Sequence, residues 1–189
     1  MHPQKVTLRT AVEERLALLT QAARAAESRS ICRRILEDLP QPLDTLCLYI
    51  PLKTEVDIAR LFEECVSRRI PIYLPRFTAN RLEFRRMEDS SSLIKGELGI
   101  PEPPVSADLL PEDGSMLFLV PGRAFDRTGG RLGRGNGGYD RFIRSYRSVN
   151  PQALFWGVAY ECQILPEIPQ EGHDEWMDAV MTARGRQSI

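Results

Sequence analysis

An open α/β sheet, mainly parallel and flanked by helices, is the fold that three features of this sequence predict. Short, continuously apolar runs at Leu46 to Ile50, Ile70 to Leu74 and Ser115 to Val120 have the texture of strands buried on both faces. Between them lie stretches whose apolar residues recur every three or four positions, so helices alternate with strands along the chain. The length of 189 residues suits one well-buried domain and is short for two of ordinary size, so residues 1–189 are read as a single domain.

From Lys5 to Leu19, the residues Leu8, Val12, Leu16 and Leu19 form one stripe of an amphipathic helix. A second helix runs from Gln21 to Leu39 with Ala25, Ile31, Ile35, Leu36 and Leu39 inward. Lys5 and Arg9 are four apart and project from one helix face, which on spacing alone reads as a solvated basic face. Pro40 and Pro42 end the second helix, the strand Leu46 to Ile50 follows, and Pro51 stops it. Thr54 and Asp57 stand in the relation of a capping box ahead of a helix with Ile58, Leu61, Phe62, Cys65 and Val66 inward. Glu55 therefore falls where a strand gives way to a helix, a place where its charge suits the helix dipole.

Ile70 to Leu74 is the next strand, expected to pair in parallel with the first through a right-handed crossover. Arg81 to Met87 reads as a more exposed strand, because Leu82 and Phe84 alternate with charged neighbours. Ser90 to Gly114 is a long loop, with Gly99 to Pro104 extended; long loops in compact domains are usually functional. Ser115 to Val120 forms the third buried strand, closed by Pro121 and Gly122. A helix begins near Gly137 and carries Tyr139, Phe142 and Ile143. Ala153 to Tyr160 is a further strand, and Trp176 to Thr182, with Met177, Ala179 and Met181 alternating, is the last.

Charge excludes some function classes. With 25 basic and 26 acidic residues the net charge is −1, and a neutral chain lacks the accumulated positive charge on which generic nucleic-acid or membrane binding depends. Cys32, Cys47, Cys65 and Cys162 show no CxxC pair and no nearby histidine, so they read as free thiols in a reducing compartment rather than zinc ligands. The first residues carry Glu13 and Glu14 and no uninterrupted apolar core, which fits neither a secretory signal nor a transit peptide. A cytoplasmic protein, acting on a small molecule as a monomer, is the expectation.

Chemistry concentrates after the third buried strand. Six of the 13 glycines fall between Gly129 and Gly138, interleaved with Arg131 and Arg134 and closed by Tyr139 and Asp140. Glycine sacrifices backbone freedom on folding, so such a run implies positive φ or close approach of a ligand. Arginine forks, exposed N–H groups and a metal-capable acid together point to a phosphorylated ligand. A Walker loop requires Lys then Ser or Thr after its last glycine, and Tyr139 and Asp140 stand there instead. Gly133, Gly135 and Gly138 match GxGxxG, with Glu161 roughly where a ribose-binding acid belongs in a dinucleotide-dependent oxidoreductase, but Gly133 lies 13 residues beyond Val120. The dinucleotide reading survives as a weak one, and a third reading is a mononucleotide loop in which Arg131, Arg134 and backbone amides hold phosphates and Asp140 holds Mg²⁺. In open α/β sheets ligands bind beyond the carboxyl ends of the strands, where both this loop and Glu55 lie.

Pro121 to Arg141 reads PGRAFDRTGGRLGRGNGGYDR and resembles the signature PGxxFDxxGxRLGxGxGYYDR of the 5-formyltetrahydrofolate cyclo-ligases, or 5,10-methenyltetrahydrofolate synthetases. The resemblance extends over most of the chain: Lys5 to Arg9 is similar to the family's KxxLR, Ile50 to Glu55 to its substrate-contacting strand end, and Gly99 to Pro103 to its proline segment. His173 and Asp174, with Asp178 to Thr182, are similar to its ending. The resemblance implies the three-layer α/β fold shared with ribose-phosphate isomerases and CoA transferases, and ATP-dependent closure of the formyl group of 5-formyltetrahydrofolate onto N10.

By that resemblance Lys5 and Arg9 contact ATP phosphates, together with the loop Arg131, Leu132, Gly133, Arg134, Gly135, Asn136, Gly137, Gly138 and Tyr139. Ile50, Glu55 and the segment Arg134 to Gly138 contact the reduced formyl folate, with Glu55 accepting from pterin N–H groups. Arg131, Arg134 and Tyr139 serve the chemistry, and Asp140 and Asp174 serve Mg²⁺. The loop departs from the signature at GNGGYD, where Gly138 replaces the first of two consecutive aromatics and Asn136 stands where some members carry Lys or Gly. That departure leaves a non-catalytic folate- or nucleotide-binding paralogue as the second reading.

Overall fold

The computed structural model describes residues 3–78, 81–96 and 99–189; Met1, His2, Ala79, Asn80, Glu97 and Leu98 lie outside them. In chain order the elements are α1 Pro3–Leu18, α2 Gln21–Asp38, β1 Thr45–Cys47, α3 Ala59–Arg68, β2 Ile72–Thr78, β3 Arg81–Met87, β4 Ile94–Lys95, β5 Pro101–Glu102, β6 Met116–Pro121, β7 Ala124–Asp126, β8 Arg131–Leu132, α4 Gly138–Val149, β9 Leu154–Val158, β10 Ile164–Leu165, β11 Ala179–Thr182 and β12 Gly185–Ser188.

The main sheet has seven strands in the order β12-β11-β9-β6-β1-β2-β3. Its five central strands run parallel, and β3 and β12 pair antiparallel at the two edges. Neighbouring residues along each central strand alternate between two cores. Leu46, Leu48, Ile72, Leu74, Leu117, Leu119 and Trp156 face one side, against Val12, Leu16, Ile31, Ile35 and Leu61 of α1, α2 and α3. Cys47, Tyr73, Phe118, Val120 and Phe155 face the other, against Ile143 and Tyr146 of α4. Such two-sided burial is why the runs read as continuous apolar segments rather than alternating ones. The result is a mixed, mostly parallel sheet between helical layers.

Several local expectations are corrected. The first strand is only three residues long, although Leu48 N still donates to Tyr73 O at 2.9 Å and continues the parallel contact. The capping box at Thr54 is not formed: α3 starts at Ala59, where Asp57 Oδ1 accepts from Ala59 N at 3.0 Å, so Glu55 belongs to a turn. Ala25 and Val66 are exposed, because the true stripes of α2 and α3 run through Ile31, Cys32 and Ile35 and through Leu61 and Cys65. Lys5 is 5% exposed, on the same face of α1 as Val12 and Leu16, and is no part of a solvated basic face. Strand β12 and the small sheet β10-β7-β8 had no apolar signal to announce them; β12 is three-quarters exposed and reads GRQS.

Candidate active site

The turn after β1, the end of β2 and the segment after β6 lie along one edge of the main sheet, and the residues between β8 and α4 form a wall beside them. Glycine placement explains this wall in two parts. Gly129 has φ +88°, and a Cβ there would lie 2.5 Å from Met177 O; a Cβ on Gly130 would lie 2.4 Å from Asp126 Oδ2. Asp126, 2% exposed, accepts at Oδ1 from Thr128 N, Thr128 Oγ1 and Gly130 N, and at Oδ2 from Ile168 N, all at 2.8–2.9 Å. These first two glycines of the run therefore fold the β7–β8 turn around a buried carboxylate. The later ones shape the wall: Gly135 has φ +101° and Gly137, at φ +64°, is the residue on which α4 begins. Asn136 Oδ1 accepts from Gly138 N at 3.3 Å and closes the start of that helix.

Two clefts meet at this wall. The first is mostly apolar and is lined by Tyr49, Ile50, Leu52, Phe77, Ile100 and Pro101, with Glu55, Arg134 and Tyr139 as its polar groups. The second is lined by Lys5, Arg9, Gly135, Glu171, His173 and Asp174. Arg131, Gly133, Asn136, Gly137 and Asp140 line both.

In the apolar cleft Glu55 is fixed by its own turn. Its Oε2 accepts from Leu52 N at 3.0 Å, its N donates to Leu52 O at 2.8 Å, and its carbonyl accepts from Tyr160 Oη at 3.1 Å. Tyr160 Oη also lies 3.2 Å from Ser28 Oγ, which accepts from Asp57 N at 3.1 Å. Tyr49 Oη donates to Val56 O at 3.0 Å and braces the turn from below. The other carboxylate oxygen, Oε1, accepts from Arg134 Nη2 at 2.9 Å; the Glu55 side chain is 8% exposed and that of Arg134 38%. Burial, with Glu55 as the next cause, pushes the Tyr139 phenol well above its ordinary range, so it is a hydrogen-bond donor and not a phenolate.

Charge in the second cleft is paired. Lys5 Nζ donates to Asp174 Oδ2 and, at 2.9 Å, to Glu171 Oε2. Burial alone would lower the Lys5 pKa, but hydrogen bonds and charge from Asp174 and Glu171 outweigh it and leave it raised. Burial likewise opposes ionisation of Asp174, yet hydrogen bonds from Lys5 and from Glu171 N bring its pKa below the ordinary carboxylate value. Arg9 Nε donates to Gly133 O at 2.9 Å, tying α1 to the wall. Arg131 Nη2 donates to Asp140 Oδ2 at 2.8 Å and its guanidinium sits 5.5 Å from the Tyr139 ring centroid. Its Nε is buried with no hydrogen-bond partner among the described residues.

The residues expected at a site do not all arrive in the expected cleft. Arg134 and Tyr139 line the apolar cleft only, Gly135 the charged cleft only, and Ile50 and Glu55 the apolar one. Leu132 lines neither, since its side chain is fully buried in the core and its carbonyl accepts from Arg123 N at 2.7 Å. Gly138 also lines neither; its Cβ position faces Phe77. Asp140 and Asp174 share the charged cleft, and Asp140 Oδ1 accepts from Glu175 N at 3.4 Å, one residue from Asp174. Among the described residues the acids that crowd one another are Glu171 and Asp174 with His173, whose ligand atoms lie within 4.8 Å. Hard carboxylate oxygens beside Lys5, Arg9 and Arg131 make a donor set that suits Mg²⁺ and a polyphosphate together. Glu161, the acid that a dinucleotide reading would use, is bound instead by Arg184 N at 3.1 Å and lines neither cleft.

Sequence reasoning missed Lys5 as a buried residue, Glu171, Phe77, and the Ser28–Tyr160 brace. Ser28 carried a readable signal, because it falls on the inward stripe of α2 with Ile31, Cys32 and Ile35, where a serine needs a partner.

Residues 1–183 match the model of the 5-formyltetrahydrofolate cyclo-ligase family. The 5-formyltetrahydrofolate cyclo-ligase, mitochondrial, of Arabidopsis thaliana is 31% identical over 211 residues, covering 96% of this chain and 75% of that one. The 5-formyltetrahydrofolate cyclo-ligase of Escherichia coli K12 is 32% identical over 142 residues, covering 73% of this chain and 77% of its own. The solution structure of Aquifex aeolicus 5,10-methenyltetrahydrofolate synthetase superimposes with a TM-score of 0.83 at 31% identity, covering 97% of this chain and 92% of that one. Fold and sequence agree, and the chain belongs to the 5-formyltetrahydrofolate cyclo-ligase family.

Proposed function

We propose that this protein closes the formyl group of 5-formyltetrahydrofolate onto N10, giving 5,10-methenyltetrahydrofolate with release of ADP and phosphate. The observation that carries this reading is the meeting of an apolar cleft and a charged cleft along one glycine-rich wall. A flat, mostly apolar ring system suits the first and a metal-bound polyphosphate the second, so the formyl oxygen and the terminal phosphate meet at Arg131 and Gly133 to Gly137. ATP supplies the phosphoryl group that turns the formyl oxygen into a leaving group.

The chain's own residues position and neutralise, which is most of what phosphoryl transfer requires. Glu55, held in its turn by Leu52 and Tyr160, accepts from pterin N–H groups; as it does so it releases Arg134, whose guanidinium then turns toward charge developing on the formyl oxygen. Ile50 packs against the ring. Tyr139 donates its phenol proton as a hydrogen bond to the same oxygen while N10 attacks the formyl carbon and gives up its proton to solvent, and the carbon–oxygen bond breaks with the oxygen leaving as part of the phosphate. Lys5, Arg9, Arg131 and the amides of Gly133 to Gly137 face the phosphates. Asp140 and Asp174 hold Mg²⁺, sharing their negative charge with Arg131 and Lys5.

Four free cysteines, three of them buried, support a reducing compartment such as the cytoplasm. No helix among the described residues is long and apolar enough to cross a membrane.

The test is purified protein with 5-formyltetrahydrofolate and Mg·ATP, each omitted in turn, while the near-ultraviolet absorbance of the methenyl product is followed. The reading requires product only in the complete mixture. Tight binding of folate and ATP without product at high protein concentration overturns it in favour of a non-catalytic paralogue.

A further inference from the structure

Gly138 has no side chain at the point where the loop's signature carries an aromatic, and the structure shows what fills the space. A Cβ built on Gly138 would stand 3.1 Å from Phe77 Cε1, tighter than ordinary van der Waals contact. Phe77 reaches that position from β2 and is part of the lining of the apolar cleft.

The ring is held there by its strand. Phe77 N donates to Glu102 Oε1 at 3.4 Å, and the neighbouring Arg76 lies 3.6 Å from Glu102 Oε2 and donates to Pro103 O at 2.9 Å. Glu102 is 2% exposed and rests where a side chain on Gly96 would lie, 2.1 Å from its Cδ. Phe77 also pairs in register with Leu82 of β3. The backbone at Phe77 is thus held by Glu102 and by β3, and its ring reaches over Gly138 at the start of α4.

We propose that Phe77 and Gly138 form a coupled, specificity-determining pair in which Phe77 supplies the aromatic wall of the apolar cleft and Gly138 determines where that wall stands by leaving room for it. The inference rests on the cyclo-ligase reading for the identity of the ligand, a reduced pterin with its flat aminobenzoyl extension. It goes beyond that reading by making a departure from the signature the reason for the pocket's shape: beside Tyr139, the aromatic that the signature places at position 138 is replaced by one from the sheet. A stacked aromatic contributes about three- to tenfold in binding, which sets the scale of the effect.

A four-protein cycle of wild type, Phe77→Ala, Gly138→Tyr and the double variant tests the coupling. Each protein is read by thermal midpoint, by KM for 5-formyltetrahydrofolate and for ATP separately, and by direct titration with 5-formyltetrahydrofolate without ATP. Phe77→Ala raises the folate KM and Kd by about three- to tenfold and leaves the ATP KM within about twofold. Gly138→Tyr also weakens folate binding, because two rings compete for one place. In the double variant the tyrosine takes the vacated space, so its folate affinity is better than that of either single variant. A double variant no better than the worse single variant overturns the proposal, as does an equal loss for ATP and folate. If Gly138→Tyr fails to fold, the milder cycle of Phe77→Leu and Gly138→Ala is read in the same way. Absence of turnover in the wild type speaks against the cyclo-ligase reading alone, since the titration reports the coupling without catalysis.

Discussion

Arg131 and Arg134 look alike in the sequence, three residues apart in one loop, and the structure separates them. Arg134 is 38% exposed and pairs with Glu55 at the surface of a cleft, an arrangement worth about 1 kcal/mol or less to stability. Arg134→Ala is therefore expected to lower turnover at least tenfold and to leave the thermal midpoint within about 2 °C, as read by steady-state assay and calorimetry on one preparation. Arg131 is 6% exposed and is the hydrogen-bonded partner of Asp140, itself 8% exposed. Removing either leaves a buried charge unpaired at a cost of about 3 kcal/mol, so Arg131→Ala and Asp140→Ala lower the midpoint as well as the activity. A midpoint unchanged in both shows that neither carries a structural role. The pairing was invisible in the sequence because a loop acid beside a loop arginine reads equally well as a ligand pair.

Lys5 carries a pH signature. Asp174 has its pKa depressed below 3.8, so its contribution to stability is complete above that value and is lost as pH falls through the lower folded value. Lys5 is raised above 10.5, so its contribution is complete below that value and is lost as pH rises beyond it. The difference in thermal midpoint between wild type and Lys5→Met is expected to be flat between about pH 5 and 9 and to narrow below about pH 4. A difference that persists unchanged at low pH shows that Lys5 acts by packing and not by charge.

At the scale of elements, the glycine-rich segment is two devices laid end to end. Gly129 and Gly130 serve the β7–β8 turn around Asp126, whereas Gly133 to Gly137 shape the wall shared by the clefts. Gly130→Ala places a Cβ against the Asp126 carboxylate and is expected to lower stability by about 2–4 kcal/mol, measured by urea denaturation. The activity that remains per folded molecule should keep wild-type KM values for both substrates. Changed KM values with unchanged stability place Gly130 in the ligand site instead.

Strand and helix identities were legible because burial on both faces of the sheet writes continuous apolar runs, and because α3 and α4 carry strong helical periodicity. The start of α3 was not legible: Thr54 and Asp57 have the spacing of a capping box, yet the chain spends those residues on the turn that holds Glu55. The small sheet β10-β7-β8 has strands of two or three residues, too short to leave a pattern. Lys5 was misread for a general reason. A lysine on an apolar stripe looks like a helix edge until Glu171 and Asp174, more than 160 positions away, are seen to bury it.

For the molecule as a whole, the site exists only because distant parts of the chain converge on one edge of a parallel sheet. Helix α1 supplies Lys5 and Arg9, the turn after β1 supplies Glu55, the wall before α4 supplies Arg131 to Asp140, and the turn before β11 supplies Glu171 and Asp174. Most of the residues expected at a site from the sequence lie in one of the two clefts; the sequence could not say which cleft, because that depends on how the loop folds against Glu55 and α1. The central claim is that the two clefts bring a nucleotide phosphate to a formyl oxygen. It is tested most directly with 5-formyltetrahydrofolate carrying ¹⁸O in the formyl group, incubated with the protein and Mg·ATP, followed by mass analysis of the released phosphate. The account predicts one ¹⁸O atom in each phosphate formed. Methenyl product accompanied by unlabelled phosphate would contradict it.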